Sequence, residues 1–251
     1  MFNSLNLSVF KTIFSRRDTK IFLSFALLPL IVPFLSGNFE GLEVDYTRSF
    51  LAFLETTLLT QYRLTLPMLI FSILISSVFR DEIDSGIMFL YKDIKRSKIF
   101  NSKVFGLILT YGIYLLGTVL ATLITYYGLM LPKFGVSVDL FPKEQLVFGK
   151  SILTILSTIL LNLMVVVIVA MVAVKSKTLS AVLSGIFFVL FTVTGTFLTG
   201  IKYLIPLTYA NFIASNNIIM PLLLILGVTG VYYLICYLIT DLVKHFCNTS
   251  V

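Results

Sequence analysis

The chain has 251 residues, of which 58% are hydrophobic and only 12% are charged. Because soluble domains carry about 25% charged residues, this composition predicts a protein with several membrane spans and excludes an ordinary soluble domain. The net charge of +7 does not indicate nucleic-acid binding, since the basic residues are separated by loop, as membrane orientation requires. With one histidine and two cysteines, the chain cannot build a His-pair metal site or a disulfide framework.

Residues 1–20 predict an amphipathic helix that lies along the headgroup boundary of a membrane. Leu7, Phe10 and Ile13 fall near helical spacing. The positive charge of the segment comes from Lys11, Arg16, Arg17 and Lys20. A disordered tail is the alternative interpretation of this segment.

Six apolar runs follow, and they predict an all-α fold with six transmembrane helices, since a span needs about 20 apolar residues. Pro29 and Pro33 should kink the first span, which is tolerable where neighbouring helices satisfy the freed carbonyl groups. The second span is expected to be one helix that begins before Leu64, with Arg63 at the outer boundary. The predicted spans are 21–37, 50–79, 104–131, 147–174, 178–200 and 218–240.

The distribution of Lys and Arg residues sets the predicted orientation. Thirteen of the nineteen lie on the side of the amino terminus, whereas the acidic residues divide evenly between the two sides. Because positively charged loops stay cytoplasmic, both termini and the loop at 80–103 should face the cytoplasm. The segment 201–217, before the last span, is neither a clean span nor a clean loop.

The loop at 80–103 is the longest strongly charged interval in the chain, with ten charged residues. A charge at mid-membrane costs about 2.5–3.5 kcal/mol, so this interval should lie in water. Acidic residues come first, followed by the apolar patch 87–91 and then by a basic cluster that ends at Lys103. An apolar patch in a water-facing loop needs a partner to cover it, which predicts a docking site.

This interval resembles the linker between the second and third spans of ABC-2 type permeases, the membrane subunits of a large class of ABC exporters. The family pattern runs Glu, three spacers, Gly-Thr, a leucine pair, and then P-I-S-R-x-x-I-x-x-x-K. Glu82 and Gly86 match this pattern at the right spacing. The later positions that correspond are Phe89-Leu90 in place of the leucine pair, and Ile94, Arg96, Ile99 and Lys103 in register. The departures are Ile87 for Thr, Asp93 for Pro, and an interval from Gly86 to Arg96 that is about two residues shorter.

The resemblance implies that the loop forms a coupling helix in a groove of a separate ATPase subunit. Mg-ATP would bind in that subunit, because this chain has no G-x-x-x-x-G-K-[ST] phosphate loop, holds no cofactor and is not expected to be an enzyme. The complex would contain two ATPase chains and two permease chains, the second permease being identical or a sister protein. The segment 201–217 would form a re-entrant element on the exit side. The predicted docking residues are Arg80, Glu82, Gly86, Phe89, Leu90, Tyr91, Asp93, Ile94 and Arg96.

The resemblance further implies an exporter subunit in a bacterial cell membrane that releases hydrophobic or amphipathic substrates outward. We expect peptides such as antimicrobial peptides, bacteriocins or toxins, and drugs and lipids stay open as alternatives. An ion-coupled six-span carrier would call for intramembrane carboxylates or an inverted repeat, and an intramembrane enzyme would need a paired acid or metal constellation. The sequence offers only the isolated Glu55.

Three polar residues in the predicted spans, Asn162, Glu55 and Arg63, are candidates for a translocation path. Asn162 has an alternative role in an interhelical hydrogen bond, worth about 0.6–2 kcal/mol. Glu55 and Arg63 are eight residues apart, about 12 Å along a helix, so we expect separate charges at the outer mouth rather than a direct pair. Gly185, in the fifth span, would permit close approach of another helix.

Overall fold

The computed structural model describes the backbone of residues 2–35, 48–84, 96–213 and 218–248, and each regular element in these ranges is a helix. In chain order the α-helices are α1 (Phe2–Ser15), α2 (Arg17–Ser24), α3 (Val32–Leu35), α4 (Phe50–Arg63), α5 (Leu66–Asp84), α6 (Arg96–Ile124), α7 (Leu131–Phe134), α8 (Gln145–Lys175), α9 (Thr178–Gly195) and α10 (Ile219–Asn248). Three 3₁₀ helices cover Phe25–Ile31, Ile201–Leu204 and Pro206–Asn211, and a π-helix covers Thr125–Met130.

Within the described ranges, four helical runs are long and apolar enough to cross a membrane. A fifth span is obtained if α4 and α5 are counted together as one broken span. An all-helical fold with several candidate membrane spans is therefore confirmed, and the count of six spans stays a prediction. The four runs are Ser97–Phe134, Gln145–Lys175, Thr178–Gly195 and Ile219–Leu238.

The first predicted span, 21–37, is not one continuous α-helix in the residues described. The end of α2 gives way to the 3₁₀ helix, which is followed by the four-residue α3. Pro29 lies inside the 3₁₀ helix and Pro33 inside α3. Because proline lacks the N–H that an α-helix interior requires, the two prolines interrupt the run rather than merely bending it.

The second predicted span, 50–79, is also interrupted, which corrects the expectation of one helix. It begins before Leu64, as predicted, but α4 and α5 meet at a bend of 61°. The break lies at Leu64 and Thr65, and Thr65 has a left-handed φ of 56°. Pro67 follows within the first turn of α5, where its missing N–H costs least.

The third run extends beyond its predicted bounds at both ends. α6, the π-helix and α7 continue one another over the 38 residues from Ser97 to Phe134. The run ends at Gly135, whose φ of 62° lies in the left-handed region. Glycine adopts that conformation without steric cost, so this position ends the helix in the usual way.

The core of the bundle lies where α5, α8 and α9 pack against one another. A side chain on Gly185 of α9 would come within 2.7 Å of Val169 Cγ2 and would also meet Ser72 Oγ. The glycine therefore brings α9 close to both of its neighbours, as small residues do between membrane helices. Buried apolar side chains at this junction are Phe71 and Leu74 of α5, Val165 and Val169 of α8, and Ala181 and Val189 of α9.

The outward faces of α9 and α10 are apolar. Phe187, Phe191 and Phe197 are 65%, 44% and 79% exposed, whereas Phe188 packs against the core. Only 22% of the apolar window of α10 is buried. These faces have the composition that lipid would cover.

Replacing Gly185 by valine should destabilise the bundle by about 1–3 kcal/mol, the usual cost of overpacking a close contact. Gly230 of α10 is the matched control, because a side chain there meets no atom within 4 Å. Thermal unfolding in detergent should show a lower midpoint for Gly185→Val and a nearly unchanged one for Gly230→Val. Equal midpoints for the two variants would contradict the packing described.

Candidate functional site

The predicted docking loop connects α5 to α6, and helix extends into both of its ends. α5 continues to Asp84 and α6 begins at Arg96, so the connection proper is shorter than 80–103. The structure describes the side chain of Arg80 and, of Glu82 and Arg96, only the backbone. The other predicted docking residues lie outside the described residues: Gly86, Phe89, Leu90, Tyr91, Asp93 and Ile94.

A buried lysine joins the two helices that flank the loop. Lys103 of α6 is only 4% exposed, and its Nζ donates a hydrogen bond of 2.8 Å to the carbonyl oxygen of Val78 in α5. The same ammonium lies 5.1 Å from the centroid of the Phe79 ring, which packs against Phe100. Because a buried ammonium is tolerated only when it is well compensated, these contacts fix α5 against α6. Lys103 is therefore part of the helix packing rather than of the solvated loop.

The joint between α1 and α2 is hydrogen-bonded to the carboxyl-terminal part of α5. Arg16 Nη1 donates to Asp81 Oδ2 at 2.7 Å and to Ser77 Oγ at 3.2 Å, and Ser77 Oγ donates to Asp18 Oδ2 at 3.3 Å. Arg16 is 22% exposed and Asp81 is 62% exposed, so solvent screens the ion pair. Its importance is geometric, since it attaches the amino-terminal helices to the last turn of α5.

α1 packs on α6, with Val9 and Ile13 against Gly106. Ile13 is 2% exposed, and its Cδ1 lies over Gly106 of α6, where a side chain would come within 2.8 Å of it. Leu7 and Phe14 remain 56% and 41% exposed. The segment is thus helical, with an exposed apolar side that suits the headgroup boundary predicted for it.

The turn between α8 and α9 completes this end of the bundle. Arg80 Nη1 donates to the carbonyl oxygen of Ser176 at 3.4 Å, and Lys175 and Lys177 beside that carbonyl are exposed. We call the region of Arg16, Asp81, Lys103 and Ser176 the loop end. It joins the start of the chain, both flanks of the charged loop and the α8–α9 turn.

The opposite end of the bundle carries a second set of polar contacts. Phe50 N, at the start of α4, donates to the carbonyl oxygen of Asp139 at 3.1 Å, and Arg48 pairs with Glu144 at 3.2 Å. A hydrogen bond from Lys143 and another from Ser137 hold the pKa of Asp139 below its usual value. Two ion pairs thus lie at this end of the bundle, Arg48 with Glu144 and Lys143 with Asp139.

Inside the bundle, Asn162 makes the interhelical hydrogen bond that was one of its two predicted roles. Its Nδ2 donates to the hydroxyl of Tyr111 at 2.9 Å, which connects α8 to α6. Asn162 Oδ1 has no hydrogen-bond partner among the described residues. The contact satisfies the Nδ2 group of this buried amide, which is 5% exposed.

The structure does not bring the three predicted path residues together. Glu55 accepts a 2.6 Å hydrogen bond from Ser151 of α8, while Arg63 is exposed at the end of α4. Ser151 and Asn162 are eleven residues apart on α8, about 16 Å along the helix. Glu55 and Asn162 therefore belong to different levels of the bundle.

Sequence reasoning missed the polar contacts made by the last turn of α4. Gln61 and Tyr62 are buried, at 5% and 1% exposed. Gln61 Oε1 accepts a hydrogen bond from the Tyr114 hydroxyl at 3.0 Å, and the Tyr62 hydroxyl is hydrogen-bonded to that of Thr192. The sequence signal for these contacts was the spacing of Tyr111 and Tyr114 in an apolar run, because residues three apart lie on the same side of a helix.

Comparisons with known protein families, with curated proteins and with solved structures return no match.

Replacing Lys103 by methionine should destabilise the chain by about 1.5–3 kcal/mol, the usual contribution of a hydrogen bond that involves a charged group. Lys98 is the matched control, since it lies on the same helix and is exposed. Thermal unfolding in detergent should give a lower midpoint for Lys103→Met and an unchanged midpoint for Lys98→Met. An unchanged midpoint for Lys103→Met would show that the buried contact does not hold α5 against α6.

Proposed function

We propose that this chain is the membrane permease subunit of an ATP-driven exporter of the ABC-2 type, in a bacterial cell membrane. A separate ATPase subunit binds Mg-ATP and docks on the charged loop between α5 and α6, and a second permease chain completes the membrane part. The observation that carries this proposal is the loop end, where both flanks of the loop are fixed to the bundle through Lys103, Arg16 and Arg80.

A docking loop can drive transport only if its movement reaches the helices. Lys103 joins α6 to α5, Arg16 joins α5 to the α1–α2 joint, and Arg80 joins α5 to the α8–α9 turn. A push on the loop would therefore move these elements together rather than deform the loop alone. Such rigid-body shifts of packed helices are a standard form of conformational switching.

The cargo we propose is a hydrophobic or amphipathic peptide. The described membrane helices present long apolar faces, and several buried polar groups are bonded within the bundle, as Asn162 is to Tyr111. A route along such surfaces suits an apolar molecule better than an ion, because an ion would need compensating charges at membrane depth.

The test is to purify the tagged chain with its associated ATPase from native membranes and to measure vanadate-sensitive Mg-ATP hydrolysis per permease. We expect Phe89→Asp with Leu90→Asp to lower the co-purified activity at least tenfold, because two charges would enter the proposed contact. Sequencing of the co-purified protein should reveal a G-x-x-x-x-G-K-[ST] phosphate loop.

The matched control is Leu140→Asp with Phe141→Asp at the opposite end of the bundle, where both side chains are exposed. This double variant should retain the activity. Full retention by the Phe89 and Leu90 variant, or equal loss in both, would count against docking at the loop.

A further inference from the structure

The break in the second predicted span contains a strained residue. Thr65 has a φ of 56°, and in the described part of the chain it is the only residue other than glycine with a positive φ. The turn is tight, since Leu66 N donates to the carbonyl oxygen of Leu64 at 2.6 Å before α5 resumes with Leu69 N bonded to Thr65. The left-handed region is unfavourable for a β-branched side chain, so the rest of the structure must hold Thr65 there.

Two neighbouring side chains supply that hold. Gln61 Oε1 accepts a hydrogen bond from the hydroxyl of Tyr114 on α6. Its Nε2 donates a hydrogen bond to the carbonyl oxygen of Phe25 at 3.4 Å. Tyr62 bonds to Thr192 of α9. The last turn of α4 is thus attached to three different elements immediately before the break.

The strained turn has a lower-strain alternative. If Thr65 moved to the right-handed region, α4 and α5 would follow one another more nearly along one axis. Pro67 would leave a kink but would not prevent this, because prolines are tolerated inside membrane helices. The bent arrangement is strained at Thr65 but keeps the hydrogen bonds of Gln61 and Tyr62 and the packing of α4 on α8, which includes the hydrogen bond from Ser151 to Glu55.

We propose that Leu64–Thr65 is a hinge between α4 and α5, and that Gln61 and Tyr62 form the latch that keeps it bent. Opening the latch lets Thr65 relax and swings α4 towards the axis of α5. α5 carries the charged loop at its other end, so the hinge sets the angle between that loop and α4. The inference does not depend on the proposed function, because it concerns two states of this chain alone.

Spin labels at Leu51→Cys on α4 and Ile73→Cys on α5 can measure the hinge angle in lipid nanodiscs. Cys236→Ser and Cys247→Ser remove the native thiols, and pulsed electron–electron double resonance gives the distance distribution. With a rise of 1.5 Å per residue, opening the 61° bend to a straight helix would lengthen the separation of positions 51 and 73 by about 4 Å.

The latch variant Gln61→Leu with Tyr62→Phe should populate a component longer by up to about 4 Å, with the full-length chain folded and monodisperse. Adding Thr65→Asn should return the distribution towards the short distance, because asparagine tolerates the left-handed region. Where the double variant fails to fold, Tyr62→Phe alone carries the measurement.

The control is Tyr126→Phe, which removes the 2.7 Å hydrogen bond from a tyrosine hydroxyl to Ser137 O, away from the break. It should leave the distance between the labels unchanged. A distribution that stays short in the latch variant, or one that lengthens equally in the control, would overturn the hinge.

Discussion

The hydrogen bond from Lys103 to Val78 is the contact on which the functional account depends. It places a cation inside the helix packing, where only a bonded ammonium is tolerated, and it lies between the two helices that carry the charged loop. Arg16 and Arg80 extend the connection to the amino-terminal helices and to the α8–α9 turn. A loop with a flexible base would absorb any push applied to it, whereas a loop held in this way can pass the push to the bundle.

The same physical rule applies in the middle of the bundle, where several buried polar side chains are bonded to other helices. Asn162 and Gln61 each reach a tyrosine of α6, and Tyr62 reaches α9. In an apolar environment a lost partner leaves a polar group unsatisfied, so such bonds select one arrangement of helices over others. The hinge proposed at Leu64–Thr65 would give one of those bonded regions a second arrangement.

Apolar run length was sufficient to predict α6, α8, α9 and α10 from the sequence, because the runs are uninterrupted and long enough for a membrane. The first two predicted spans were less successful. Pro29 and Pro33 were expected to kink the first but divide it. The second breaks at Thr65, two residues before Pro67, and the left-handed φ of Thr65 is not visible in the sequence. Lys103 was grouped with the solvated charges because sequence shows a charge but not the carbonyl oxygen that compensates it.

The most direct test is to determine on which side of the membrane the charged loop lies. Single cysteines at Lys92→Cys in the loop and Lys143→Cys at the opposite end, where the side chain is 85% exposed, can be labelled with an impermeant maleimide after the native thiols are removed. We expect labelling of Lys92→Cys only in inside-out vesicles and labelling of Lys143→Cys only in intact cells. Labelling of Lys92→Cys in intact cells would place the loop away from ATP and contradict the account.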